Sequence, residues 1–189
     1  CTMTRFRLWH LKNEMLAANF LANLFGVVLI ELFLLRTEGS IPEEFLQHPV
    51  ANFVNYVFNL AAFTFVLITT LIYERPIRAY LNAKFDKASV SSATEHTARQ
   101  RLLNEPFVLI SLSFSMWLLS AIVYPAVYWA LDIGRYWMQT AFFMGLSTGL
   151  TIVTVAFFLL EHVLQKQLAP HFFPNGGLYT IPKTLRIRI

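Results

Sequence analysis

YWMQTAFFMGLSTGLTIVTVAFFLLEHVL, residues 136–164, decides how this chain is read, because it holds no charged side chain from Tyr136 to Leu160. A helix needs about 20 such residues, at about 1.5 Å of rise each, to cross a hydrocarbon core of about 30 Å. Three runs of the same kind lie upstream, at about residues 15–36, 50–73 and 106–131. The four together occupy about half of the 189 residues and leave little from which to build a water-soluble catalytic domain. The expected fold is all-α: an integral membrane four-helix bundle made of two helical hairpins.

Composition agrees. Hydrophobic residues make up 56% of the chain and charged residues 14%, with mean hydropathy +0.52, against a charged share of about 25% in soluble domains. The net charge of +4 does not gather into a basic face, so no nucleic-acid partner is expected. Cys1 stands alone, which excludes an internal disulfide and a CxxC metal site. The chain opens on Cys1 and stops inside Leu185-Arg186-Ile187-Arg188-Ile189, so a fragment of a longer protein is expected. Leu34-Leu35-Arg36-Thr37-Glu38 offers no small-residue cleavage site, and the first run is expected to anchor rather than to be removed.

The basic residues set an orientation. Arg5, Arg7 and Lys12 precede the first span, whereas the loop after it sets Arg36 against Glu38, Glu43 and Glu44. The second connection carries Arg75, Arg78, Lys84, Lys87, Arg99 and Arg101, and the tail carries Lys166, Lys183, Arg186 and Arg188. Both ends are therefore expected in the cytoplasm, with a tight external turn at Asp132, Gly134 and Arg135. Residues 1–168 read as the membrane domain and 169–189 as a cytoplasmic joint leading onward. The expected location is a bacterial cytoplasmic membrane.

The hairpins share features. Asn13-Glu14 opens the first span and Asn104-Glu105 the third, and Glu74 and Glu161 close the second and fourth, at offsets of 91 and 87 residues. Either one hairpin was duplicated or two hairpins obey the same capping rules. Glu14 and Glu105 suit helix starts, with Pro106 in a first turn. Glu74 and Glu161, at C-terminal ends, need partners: Arg78 for Glu74, and His162 or Lys166 for Glu161. Ser92-Ala93-Thr94-Glu95 fits a capping box opening an amphipathic helix on anionic headgroups, or else a flexible loop.

Polar side chains inside the spans are the informative ones. Asn52, Asn55 and Asn59 form a stripe on span two with Tyr56 beside it; Asn19 and Asn23 lie one turn apart on span one. Ser111, Ser113, Ser115 and Ser120 on span three, and Ser147, Thr148, Thr151 and Thr154 on span four, are expected to turn inward as well. Gly145 and Gly149 form a small-residue contact pair, and Pro125 is expected to kink span three. These stripes are either interhelical glue or the wall of a polar pocket for a small ligand. Glu31, set in Val27-Val28-Leu29-Ile30-Glu31-Leu32, is either a ligand or proton site or a buried structural acid.

No Walker loop, GxSxG, HExxH or Cys/His cluster occurs, so no catalytic residue, metal or cofactor is assigned. The tail carries a resemblance. Leu164 to Leu168, then Phe172-Phe173-Pro174-Asn175-Gly176-Gly177-Leu178, Ile181-Pro182 and the basic apolar end, together with Arg101 to Pro106, resemble the membrane region preceding the HAMP linker of bacterial class III adenylate/guanylate cyclases. The resemblance covers about residues 70–189. It implies a homodimer and a membrane-embedded sensory, regulatory and anchoring module, with cyclic-nucleotide synthesis in a domain beyond this chain. The alternative is a small transporter or channel subunit that uses Glu31 and the asparagine stripe.

Overall fold

The computed structural model describes residues 4–37 and 48–173. They form α1 (Arg5–Thr37), α2 (Pro49–Tyr73), α3 (Arg75–Phe85), α4 (Ser92–Ala130), α5 (Arg135–Val163), a π-helical turn (Leu164–Leu168) and a short α6 (Ala169–Phe172). No strand occurs among the described residues. Four helices, α1, α2, α4 and α5, are long and apolar enough to cross a membrane. Glu38, Glu43, Glu44 and the tail from Pro174 through Lys183, Arg186 and Arg188 lie outside the described residues.

The helices outrun the apolar runs at one end. α1 opens at Arg5, where Leu8 and Leu11 are buried, because an internally bonded backbone has no reason to stop where polarity begins. α4 opens at Ser92 with Ser91 as its N-cap, the Ser91 hydroxyl accepting from the Thr94 amide at 3.2 Å. The cap is thus one residue earlier than expected, and Glu95 pairs with Arg99 at 2.6 Å rather than closing a capping box. The stretch expected on the headgroups, or as a loop, is the first third of α4, with Ala98 and Leu102 fully buried. Pro106 lies inside that helix rather than in its first turn, and α4 also continues through Pro125. Glu14 and Glu105 are accordingly mid-helix residues and not caps.

Both described termini meet at one end, the base. Lys12 donates to Asn82 at 2.9 Å, Arg78 donates to Asn13 at 3.0 Å, and the Tyr80 ring stacks on Phe172 with centroids 4.6 Å apart. Pro170 does not break the chain's helix after span four. The helix widens into the π-helical turn and continues to Phe172, which is fully buried. Residues 169–172 thus belong to the packed base. The opposite end holds the tight turn between α4 and α5, where Asp132 takes a left-handed backbone (φ 54°).

α1, α4 and α5 make the tight part of the bundle. A Cβ on Gly145 would meet Ala121 Cα at 3.2 Å, and one on Gly149 would meet Trp117 Cβ at 2.8 Å, so both glycines of the expected pair lie at a close α4–α5 contact. Gly26 does the same for α1: a Cβ there would meet Trp117 Cζ2 at 2.6 Å and Ile152 Cγ1 at 2.7 Å. α2 is peripheral, packing against α4 and α3 but making no extended contact with α1. Large apolar residues such as Phe53, Leu60, Phe143 and Phe158, each about two-thirds exposed or more, cover the outside. Monomers in water do not keep such continuous apolar faces, whereas lipid accepts them.

The hydroxyl stripes do not all turn inward. Ser113, Ser120 and Thr148 are buried, but Ser111, Ser115, Ser147, Thr151 and Thr154 are exposed. Ser115, Ser147, Thr151 and Thr154 donate to the carbonyl one turn back in their own helix, at 2.7–3.0 Å. A short hydroxyl can satisfy itself this way and face lipid.

Candidate functional site

Because α2 stands away from α1, a half-open cleft of about 690 Å³ lies between them, backed by α4 and α5. Its walls are largely apolar, with Phe58, Phe63, Val66 and Met116 among them. Of the residues singled out from the sequence, Asn19, Asn23, Glu31, Asn52, Asn55 and Asn59 all line it. Tyr56 does not: it is 74% exposed on the far side of α2. One residue from Asn55 along a helix is a rotation of about 100°, enough to carry Tyr56 out of the wall.

Two polar clusters occupy the cleft. Towards its middle, Asn23 donates to the Ser113 hydroxyl at 2.9 Å and to the Asn19 carbonyl at 2.8 Å. Ser113 donates to Asn19 Oδ1 at 3.1 Å, and the Trp117 indole N–H donates to Asn23 Oδ1 at 3.0 Å. The three that involve Ser113 and Trp117 tie α1 to α4 and are worth about 0.6 kcal/mol each on average in a membrane. Nearer the opposite end, Asn55 Oδ1 accepts from Asn59 at 2.8 Å and from the Tyr124 hydroxyl at 2.7 Å, tying α2 to α4. Tyr124 also lies within electrostatic reach of Glu31, which is exposed to the cleft rather than buried.

Tyr124, Tyr128, Trp117 and Met144 complete the walls and were not singled out in the sequence. An aromatic residue in an apolar run carries no signal of its own. Its role emerges only from the neighbouring helix it faces.

A second polar centre lies at the base. Glu74 joins α2 to α3, its backbone N–H bonding the Thr70 carbonyl. Arg78 Nε donates to Glu74 Oε2 at 2.7 Å, as the spacing of four residues led one to expect. Sequence reasoning missed the neighbour across the helix pair, Glu105 of α4, whose carboxyl lies within hydrogen-bonding reach of Glu74. Both acids are 2% exposed. Burial pushes the Glu74 carboxyl above its ordinary range, and Arg78 pulls it partly back. Arg101 and Tyr73 brace the same joint, Arg101 donating to the Tyr73 carbonyl at 2.8 Å and Tyr73 Oη to the Arg101 carbonyl at 3.0 Å.

Among the described residues, the partner that Glu161 bonds is neither His162 nor Lys166. Gln165, one turn on and on the same helix face, donates to it at 3.1 Å. His10 pairs with Glu14 at 3.2 Å. No group of three or more His, Cys, Asp or Glu able to hold a metal occurs among the described residues.

Four apolar helices with lipid-compatible outer faces make this an integral membrane protein of the helical class, with a polar-lined cleft along one side. Comparison with protein-family models, curated proteins and solved structures finds no match.

Proposed function

We propose that this chain is the membrane-embedded sensory and anchoring module of a signalling protein, and that its input is a lipophilic molecule with a hydrogen-bonding head. The observation that carries the reading is the cleft between α1 and α2: about 690 Å³, apolar along its length, with Asn55, Asn59, Tyr124 and Glu31 gathered in one part of it. That volume suits a ligand of ordinary small-molecule size. An amphiphile would place its chain along Phe58, Phe63 and Val66 and its head among the asparagines and Tyr124.

The base supplies an output route. α2 runs through Glu74 into α3, and α3 touches the end of the described chain through Tyr80 on Phe172 and through Lys84 on the His171 carbonyl. A ligand that shifts α2 would therefore move the start of the tail. A coupling of about 1–3 kcal/mol between cleft and tail is enough for regulation. The basic residues at the base, including Arg5, Arg7, Lys12, Arg75, Lys84 and Lys87, support a cytoplasmic base with both ends inside, held against anionic lipid. The tail's likeness to the membrane regions of class III nucleotide cyclases makes a homodimeric nucleotide cyclase of a bacterial cytoplasmic membrane the output to test first.

A small transporter or channel subunit is the second reading, favoured by Glu31 lining the same cleft. The two separate in one experiment on protein in nanodiscs, with a diazirine-bearing fatty acid as probe. Sensing by an amphiphile predicts strong photolabelling of Phe63, Val66 and Tyr124, lost in Ala62→Trp, with labelling of outward Leu60 unchanged. Equal labelling of cleft and outer face, indifferent to Ala62→Trp, refutes it. Ion or solute flux in liposomes that Glu31→Gln abolishes supports the transporter instead.

A further inference from the structure

The base contains a charge arrangement that the cleft does not explain. Glu74 and Glu105 lie carboxyl to carboxyl, each almost fully buried, and each has one oxygen, Glu74 Oε1 and Glu105 Oε2, with no hydrogen-bond donor. Thr70 Oγ1, one turn back from Glu74 on α2, is likewise buried and unpartnered. Carboxylate oxygens only accept, so two ionised groups so placed repel and cannot satisfy one another. A carboxyl and a carboxylate can, because the first donates to the second.

We infer that Glu74 and Glu105 form a proton-binding site, holding one proton between their carboxyls at neutral pH and thereby latching the foot of span two to span three. The surrounding charges fix the number. Arg78 of α3 faces the pair and binds Glu74. Arg101 of α4 is committed to the Tyr73 carbonyl. On α1 the neighbour that reaches Arg78 is the neutral Asn13, while Glu14 and His10 pair with each other. On α5, Glu161 bonds Gln165. Arg78 is the guanidinium that acts on both acids, and with that one cation and two carboxyls a single shared proton leaves the site neutral. Loss of that proton leaves two like charges facing each other at the point where α2 turns into α3.

The site is distinct from the cleft, and its test does not depend on any cleft ligand. Infrared spectroscopy of the protein in nanodiscs reads the C=O stretch of a protonated carboxyl buried away from water. The expected result is such a band in the wild type at neutral pH, lost as one titration when pH is raised, and absent from Glu105→Gln and from Glu74→Gln. Glu105→Gln supplies an amide donor in place of the acid proton, so it should stay folded and lose the fall in melting temperature that the wild type shows as pH rises through the titration of the pair. A wild type with no protonated carboxyl at neutral pH overturns the proposal, as does a band that survives in Glu105→Gln. Stabilisation by sodium or calcium chloride that requires Glu105, in place of the proton band, identifies a cation site and also overturns it. The wild-type titration decides even if a variant fails to fold.

Discussion

Replacing Gly26 by alanine is expected to destabilise the bundle, although alanine is the better helix former. The added Cβ would sit 2.6 Å from Trp117 Cζ2 and 2.7 Å from Ile152 Cγ1. Apolar carbons prefer about 3.5–4.0 Å, so each neighbour must retreat by about 1 Å. Neither can do so easily: Ile152 is fully buried, and Trp117 is pinned between Gly149 and the hydrogen bond from its indole to Asn23. Overpacking of this kind costs about 1–3 kcal/mol. Loss of the indole bond adds about 0.6 kcal/mol. The helix preference of alanine over glycine returns about 1 kcal/mol. The expected net loss is about 1–2 kcal/mol, read from reversible unfolding in mixed detergent micelles. Gly134→Ala is the control, since nothing lies within 4 Å of a Cβ there, and it should be neutral. Trp117→Phe removes the obstructing ring edge, so in that background Gly26→Ala should cost less. A Gly26→Ala protein as stable as the wild type, or one no worse than Gly134→Ala, refutes the close approach of α1 to the α4–α5 pair.

Other outcomes follow from the same structure. Asn23→Leu, which removes bonds to Ser113, Asn19 and Trp117, should cost only about 1–2 kcal/mol in mixed micelles at about 0.6 kcal/mol per contact; a loss of folding would mean the network is more than glue. Phe172→Ala removes a fully buried ring stacked on Tyr80 and should raise hydrogen exchange in residues 75–85 while leaving α5 above Ile152 protected. Glu74 binds its proton more tightly folded than unfolded, because burial raises its pKa. The stability it adds is therefore present in full below its unfolded pKa and lost as pH rises through the raised value, so the melting temperature should fall across that window and stay flat in Glu74→Gln.

The four spans were legible because each hydrophobic run is long, and length alone separates a membrane helix from a buried core helix. The cleft was half legible. Asn19, Asn23, Asn52, Asn55 and Asn59 announce themselves as amides in an apolar context, and helical spacing puts them on common faces. Tyr56 was misplaced because adjacency in sequence is a third of a turn in space. The hydroxyl stripes were misread for another reason: Ser115, Ser147, Thr151 and Thr154 need no partner helix when their own backbone offers a carbonyl. Glu105 was read as a cap because Pro106 follows it, yet the helix had begun at Ser92. Its pairing with Glu74 joins residues remote in sequence and leaves no local trace.

Four crossings with both described termini at one end are tested most directly by cysteine labelling in sealed vesicles. In a Cys1→Ser background, Lys12→Cys and Asn82→Cys, which meet at the base, should react with a membrane-impermeant maleimide from one side only. Asp132→Cys, in the turn at the opposite end, should react only from the other. Reaction of all three from the same side would contradict the transmembrane bundle, and with it the cleft and the latch built on it.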